Sequence, residues 1–391
     1  MTSPTVAVVL PVYNAETTIR ASIESVLVQT YRDFVLLVVD DGSTDKSSEI
    51  IKDLASRDNR IRYLSKANGG IVSALNFGLD ACTCEYIARQ DADDLSTPDR
   101  FATQLEILRD RPDVVAVSGA HHHIDEAGRV IDQGFFYTDP NTADFLVIPH
   151  LEPYLPHPFL MIRRSALRAV GGYYRYVIHS EDTDLYWRLR EVGTLFNTSR
   201  LLGSYRLHSK SLSDQSIQAG RVQAVYSQMA GLSAMRRFNG LSDIEFPPNV
   251  LESLKDLVSL EEIAALASKQ LDKTEQAYLH ACVAAKLLEL LSFRSYAIEG
   301  PDIRFVAANL RQSNCNREVW NKSEETLKRL LLGLGKRLVK AGRMGASLRV
   351  RLIFGRLFVG QIVHGRWIKR RVLAFLPWVV SVFRQEWRRR Q

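Results

Sequence analysis

Three strand-like runs, two of them continuously apolar and each ending in a polar or acidic turn, set the terms on which this chain can fold. Val6 to Leu10 is continuous, rich in β-branched residues and stopped by Pro11. Phe34 to Val39 repeats the pattern and ends in Asp40, Asp41, Gly42 and Ser43, and Glu85 to Gln90, shorter in apolar residues, reads as a further strand that ends in Asp91, Ala92, Asp93 and Asp94. Runs without polar alternation read as strands buried on both faces, which belong in parallel sheets covered by helices. Between them the apolar residues switch to helical spacing: Ile19, Ile23, Val26 and Leu27 behind a cap at Asn14 or Thr17, then Ile50, Ile51 and Leu54 in a helix begun by Ser43. Arg60 to Leu64 reads as another short strand and Asn68 to Gly78 as a glycine-led helix. Strand alternating with helix predicts an α/β fold with a largely parallel sheet. In open sheets of that kind ligands lie beyond the carboxyl ends of the strands, where the acidic turns are.

Beyond Thr97 and Pro98, which read as cap and first residue of a helix carrying Phe101, Leu105 and Leu108, the pattern becomes mixed. Val114–Val117, Val130–Tyr137 and Leu160–Arg163 are expected strands, and Asp184–Val192 an expected helix stopped by Gly193. From about Asp214 only helical signals remain, at 215–238, 250–267, 274–291, 301–312 and 323–341. The expected organisation is a catalytic domain over 1–213, a helical domain over 214–345 and a basic tail over 346–391.

Charge separates the tail from the body. The 391 residues carry a formal +7, but from Lys336 onward 15 Lys and Arg face one acid, Glu386, which leaves 36 basic against 43 acidic residues before it. A basic tail on an acidic body points to an anionic surface as partner for the tail alone. Four scattered cysteines exclude a disulfide framework and a cysteine zinc site, and fit a reducing compartment. No basic residue precedes the apolar run at Val6, so no secretory signal is expected. The longest apolar stretch, Val372 to Phe383, is about half of the roughly 20 residues a spanning helix needs.

The acidic turns carry the chemistry. Asp40 and Asp41 suit the imide of a uracil or the hydroxyls of a ribose; a solvated turn with an Asx cap is the plainer reading. Alternate carboxylates at Asp91 and Asp93 suit a ribose and a divalent cation bridging a diphosphate, and hard oxygen ligands select Mg²⁺ or Mn²⁺. Glu181 and Asp182, just before a helix, either cap it or include a general base for an acceptor hydroxyl. His208 is a further candidate metal ligand, whereas His121, His122 and His123 alternate across a strand and cannot converge.

Four segments in this order resemble glycosyltransferase family 2, the inverting GT-A family of bacterial polysaccharide and lipopolysaccharide assembly. They are Val9-Leu10-Pro11-Val12-Tyr13-Asn14, Val38-Val39-Asp40-Asp41-Gly42-Ser43-Thr44-Asp45, Asp91-Ala92-Asp93-Asp94 and Ser180-Glu181-Asp182-Thr183-Asp184-Leu185. The resemblance covers roughly residues 5 to 210 and implies a Rossmann-like GT-A sheet binding a nucleotide-diphosphate sugar, with a UDP-sugar expected. It places Pro11, Tyr13, Asn14, Glu16, Asp40 and Asp41 around the base and ribose, Asn68 and Gly69 beside the nucleotide, and Arg89 on a phosphate or the sugar. Asp91, Ala92 and Asp93 become the D-x-D segment with Asp93 on the metal, and Asp182 becomes the base, with Glu181 beside it. The processive members' Q-x-x-R-W segment and spanning helices are absent from the sequence, which implies one sugar added per encounter to a glycan or lipid-linked acceptor.

The tail interleaves Arg and Lys with aliphatic and aromatic residues, among them Phe354, Leu357, Phe358, Trp367, Trp378 and Trp387. That composition suits a helix lying in a membrane interface rather than on nucleic acid, and predicts an enzyme peripheral to the cytoplasmic face of the cell membrane; a bundle face with solvated arginines is the alternative. Two rival functions are an inactive scaffold of the same fold and a sugar-nucleotide pyrophosphorylase. The latter requires a Gly-rich basic loop after the first strand, where this chain has Tyr13-Asn14-Ala15-Glu16.

Overall fold

The computed structural model describes residues 4–134, 139–177, 179–207, 216–247, 253–254, 257–294, 296–311, 314–355 and 357. Its centre is a parallel sheet made by the three runs and their short neighbour: β1 (Val6–Val12), β2 (Phe34–Asp40), β3 (Ile61–Ser65) and β4 (Tyr86–Arg89), in spatial order β3-β2-β1-β4. Every residue of β1 and β2 is buried. Because side chains alternate across a strand, the two strands feed two cores. Val6, Val8 and Leu10 meet Ile19, Ile23 and Phe101 on one face, while Ala7 and Val9 meet Val72, Leu75 and Leu185 on the other. Gly78 is needed where α3 (Ile71–Asp80) crosses the sheet, since a Cβ there would lie 2.6 Å from Val9 Cγ1.

The second half of the sheet is mixed. β8 (Met161–Arg163) runs antiparallel between β4 and β6 (Val114–Ile124), β6 runs parallel to β9 (Thr194–Arg206), β5 (Leu95–Ser96) closes the edge on β9, and β7 (Val130–Gln133) makes a hairpin with β6. β9 carried no recognised strand signal. Its 13 residues shift register against β6 twice between Gly119 and His121, so its polar and apolar residues lose the regular alternation of a strand.

Several helix starts differ from expectation. α1 (Ile19–Leu27) begins after Thr18, with no side-chain cap, and Asn14 and Thr17 lie outside it. α2 (Ser47–Arg57) begins four residues after Ser43, α3 after Gly70 rather than at Asn68, and α4 (Arg100–Asp110) after Asp99 rather than at Pro98. In the first three cases Asn14, Ser43 and Asn68, read as caps or first helical residues, are used instead in the loops at the strand ends. After the short α5 (Arg164–Ala169), α6 spans Glu181–Leu189, so Glu181 and Asp182 form its first turn instead of preceding it.

The helical region comprises α7 (Ile217–Phe238), α8 (Leu260–Ala267), α9 (Lys273–Phe293), α10 (Gly300–Asn309), α11 (Arg317–Lys340) and α12 (Met344–Phe354). Capping boxes at Ser259/Glu262 and Asp272/Glu275 set the starts of α8 and α9, which places the first of these well after the expected position 250. These helices share one apolar core with Ile148, Val177 and Trp187 from the first domain. α12 crosses the expected boundary at 345 and packs on α11, with Leu357 buried and Phe354 partly buried against the same core. These two residues, read as membrane-facing, therefore belong to the bundle, while the rest of the tail from 358 lies outside the described residues. Among the described residues no helix is long and apolar enough to cross a membrane.

Candidate active site

The carboxyl ends of β1 and β2 lie side by side, and the loops that leave them are tied together. Asn14 Oδ1 accepts from the Thr44 backbone N–H at 2.8 Å, Ser43 Oγ accepts from the Asn14 N–H, Asp45 accepts from the Glu16 N–H, and Glu16 accepts from the Lys46 N–H at 3.0 Å. Asn14 holds φ +51°, a conformation asparagine tolerates better than most residues. Asn14 and Glu16 thus spend their side chains on holding the loops. Tyr13, just before Asn14, is 54% exposed, and Pro11 is buried in β1 opposite Val39.

Asp40 and Asp41 are not a solvated turn, for both are buried. Asp40 accepts from the Ser43 N–H and the Tyr63 hydroxyl, each at 2.8 Å. Asp41 accepts from Lys66 Nζ at 2.6 Å and from the N–H groups of Gly69 and Gly70 at 3.0 and 2.8 Å, an anion placed at the start of α3. Asn68 donates to the Asp41 carbonyl, and Gly42 at φ +78° lets the two segments meet, since a Cβ there would lie 2.9 Å from Asn68 N. Asn68 and Gly69 are therefore joined to the Asp40–Asp41 turn as one rigid rim.

The turn after β4 brings three acids together. Asp91, Ala92, Asp93 and Asp94 do not extend but curl, so that one oxygen each of Asp91, Asp93 and Asp94 falls within 4.8 Å of the others. Arg89, 7% exposed, holds both oxygens of Asp91 at 2.6 and 2.8 Å. From β9, Arg206 donates its backbone N–H to Asp94 Oδ1 at 2.7 Å and its Nε to the Asp93 carbonyl at 2.8 Å. Beneath the turn the fully buried Arg100 donates to Gln90, Ser96, Gln104 and the carbonyls of Arg89 and Leu160. Asp94 Oδ2 is buried without a donor among the described residues, and burial beside Asp91 and Asp93 pushes its carboxyl well up. Three converging carboxylates, one of which keeps a buried oxygen without a donor among the described residues, fit a divalent cation such as Mg²⁺ or Mn²⁺. His208, the other expected ligand, lies outside the described residues.

The first turn of α6 faces the same place. Ser180 is its N-cap residue without donating or accepting a capping bond, and Asp182 accepts from the Thr183 N–H at 2.7 Å. Burial, and then the neighbouring Asp182, push the Glu181 carboxyl up to about 7, with Arg89 and Asp91 close enough to act on it in opposite senses. Burial raises Asp182 as well, against the pull of Arg89. The third acid of the turn, Asp184, is structural: it is fully buried, Arg188 and Arg175 bond it, and their charge outweighs burial to hold it ionised. Arg89 thus bonds the acidic turn and acts electrostatically on the Glu181–Asp182 pair.

Other residues join this site without a signal in the sequence. His157 shares a 2.9 Å hydrogen bond with the buried Tyr174 hydroxyl, and burial together with Arg89 keeps this imidazole neutral. Glu152, which acts on Asp182 electrostatically, is held by Lys286 of α9 at 3.0 Å and Gln228 of α7 at 2.8 Å. Only the fold brings these segments together. Of the three consecutive histidines on β6, His121 and His123 share a face and do converge, their rings 5.3 Å apart and each edge-on to Tyr205, against the expectation; His121 is buried and His123 is paired with Asp132.

Residues 7–171 match the family model described as glycosyl transferase family 2. The chain is 34% identical over 198 residues to the putative glycosyltransferase EpsE of Bacillus subtilis, covering 49% of this chain and 68% of that one. It is 28% identical over 213 residues to a chondroitin synthase of Escherichia coli, covering 54% of this chain but only 30% of the synthase, so it spans less than a third of that relative's length. Among solved structures, a mannosyltransferase of Pyrobaculum calidifontis in complex with GDP-Man and Mn²⁺ superposes with a TM-score of 0.46 at 17% identity, over 85% of this chain and 87% of that one.

Proposed function

This chain belongs to glycosyltransferase family 2, and from that premise we propose that it transfers one sugar, with inversion, from a UDP-sugar to a hydroxyl of a glycan or lipid-linked acceptor in bacterial surface polysaccharide or lipopolysaccharide assembly. The observation that carries this reading is the convergence on Arg89 of two acidic groups with different tasks. Asp91, Asp93 and Asp94 offer converging oxygens at the end of β4, and Glu181 and Asp182 sit within electrostatic reach of them. Single-displacement transfer needs both: charge compensation on a leaving diphosphate and a base for the acceptor hydroxyl.

In this account Asp93 is the principal metal ligand, with Asp91 and Asp94 beside it, and a bound divalent cation supplies positive charge against the diphosphate as it leaves. Arg89 fixes the carboxylate of Asp91 through its rigid fork. The loop around Tyr13 and the rim from Asp40 to Gly69 hold the base and ribose. Asp182 takes the proton of the attacking hydroxyl, its basicity raised by burial and by Glu152 against the pull of the Thr183 N–H and Arg89. The basic segment after 357 lies against an anionic membrane surface on the cytoplasmic side, which concentrates a lipid-linked acceptor near the site. The loop after β1 has no basic glycine-rich cradle, which argues against a pyrophosphorylase, and the intact acids argue against an inactive scaffold.

The reading is tested by donor turnover across UDP-, GDP- and dTDP-sugars with Mn²⁺. A UDP-sugar as the preferred donor supports it. Preference for another nucleotide overturns the donor assignment, and synthesis of nucleotide sugar from sugar phosphate instead of transfer overturns the reaction.

A further inference from the structure

Helices α10 and α12 pack against each other near the end of the described chain and enclose a groove of about 470 Å³, large enough for a small ligand. Its apolar lining includes the buried Ile303 and Ile353 and the 64% exposed Leu352. Arg304, Arg311 and Arg349, all exposed, line the same groove, and among the described residues none of them is ion-paired. Three uncompensated cations around an apolar slot are complementary to an anion with a hydrocarbon tail. The chain's own remaining segment is a poor match, because residues 358–391 carry eight Lys and Arg against one acid and bring charge of the same sign.

We infer that this groove binds a single anionic phospholipid, its acyl chain against Ile303, Leu352 and Ile353 and its phosphate among Arg304, Arg311 and Arg349. The site is separate from the sugar-transfer centre and does not depend on residues 358–391 touching a membrane. It gives the helical region a task of its own, the capture of one lipid molecule from the bilayer surface by a bundle that shares its core with the catalytic domain.

The test is calorimetric titration of the full chain with dioctanoyl phosphatidylglycerol kept below its micelle concentration, alongside dioctanoyl phosphatidylcholine and inorganic phosphate. Saturable one-to-one binding is expected, stronger than that of the choline lipid. The double variant Arg304→Glu/Arg349→Glu should weaken it at least about tenfold, and Leu352→Glu should weaken it similarly; these positions are exposed, and unchanged helical circular dichroism and donor turnover verify folding. Absence of binding overturns the inference. So does affinity unaltered in both variants, which assigns the lipid to residues 358–391, and so does displacement by inorganic phosphate at equal concentration, which leaves a phosphate site without a lipid.

Discussion

Arg89 grips both carboxylate oxygens of Asp91, at 2.6 and 2.8 Å, from a position that is nearly closed to water. Burial works against the guanidinium's charge and Asp91 more than offsets it, while burial pushes the Asp91 carboxyl up against the pull of Arg89. The same guanidinium acts electrostatically on Glu181 and Asp182 of α6, which makes Arg89 the link between the two acidic groups of the proposed chemistry.

Replacing Arg89 by Lys keeps the charge but loses the fork. Donor kcat/KM should fall about 10²-fold, the scale on which small misplacements in a preorganised site are felt. A variant within about threefold of the parent enzyme would show that the fork does not organise the site.

Asp182 is read as the base. Asp182→Asn should lower kcat by roughly 10² to 10⁴ while donor affinity stays nearly unchanged, the usual scale for loss of general base catalysis. Collapse of donor binding in this variant would make Asp182 a pocket residue instead.

Glu181 predicts how stability varies with pH. Its folded-state carboxyl is pushed up to about 7, whereas an unfolded glutamate loses its proton near 4.5. Between these values the folded protein binds more protons than the unfolded one, so Glu181 destabilises the fold progressively as pH rises from about 4.5 to about 7 and its penalty is constant above that. Glu181→Gln should therefore flatten the fall in Tm between pH 5 and 7.5. Identical slopes in parent and variant would contradict the assigned environment.

Arg100 stands under the acidic turn with five acceptors, none of which has water to turn to. Arg100→Leu leaves several of them unsatisfied at about 1–3 kcal/mol each, and urea unfolding should show a loss of at least about 3 kcal/mol. A loss below about 1 kcal/mol would mean that the turn is held by other contacts.

The parts of this molecule legible in the sequence are those in which one residue's environment is set locally. β1 and β2 declared themselves because every position is buried and all but Asp40 are apolar, and the acids at the ends of β2 and β4 declared themselves because charges directly after a buried strand are unusual. Helix starts failed where the fold uses a capping-type residue for something else: Asn14 and Ser43 bond across the β1 and β2 loops, and Asn68 bonds Asp41. β9 was missed because its register shifts scramble the alternation, and with it went Arg206, which holds Asp93 and Asp94. Glu152, Lys286, His157 and Tyr174 come from segments far apart in sequence and meet only through packing. Phe354 and Leu357 were read by composition as membrane-facing, and α12 instead turns them onto the helical core.

The central claim is that sugar transfer runs through a divalent cation held at the acidic turn. Its most direct measurement is UDP-sugar turnover by the metal-stripped enzyme, with and without added Mn²⁺ or Mg²⁺, set beside Asp93→Ala. The account predicts silence in EDTA, recovery when the cation returns, and a folded Asp93→Ala enzyme that no cation restores. Full turnover in EDTA, or an active Asp93→Ala enzyme, would contradict it.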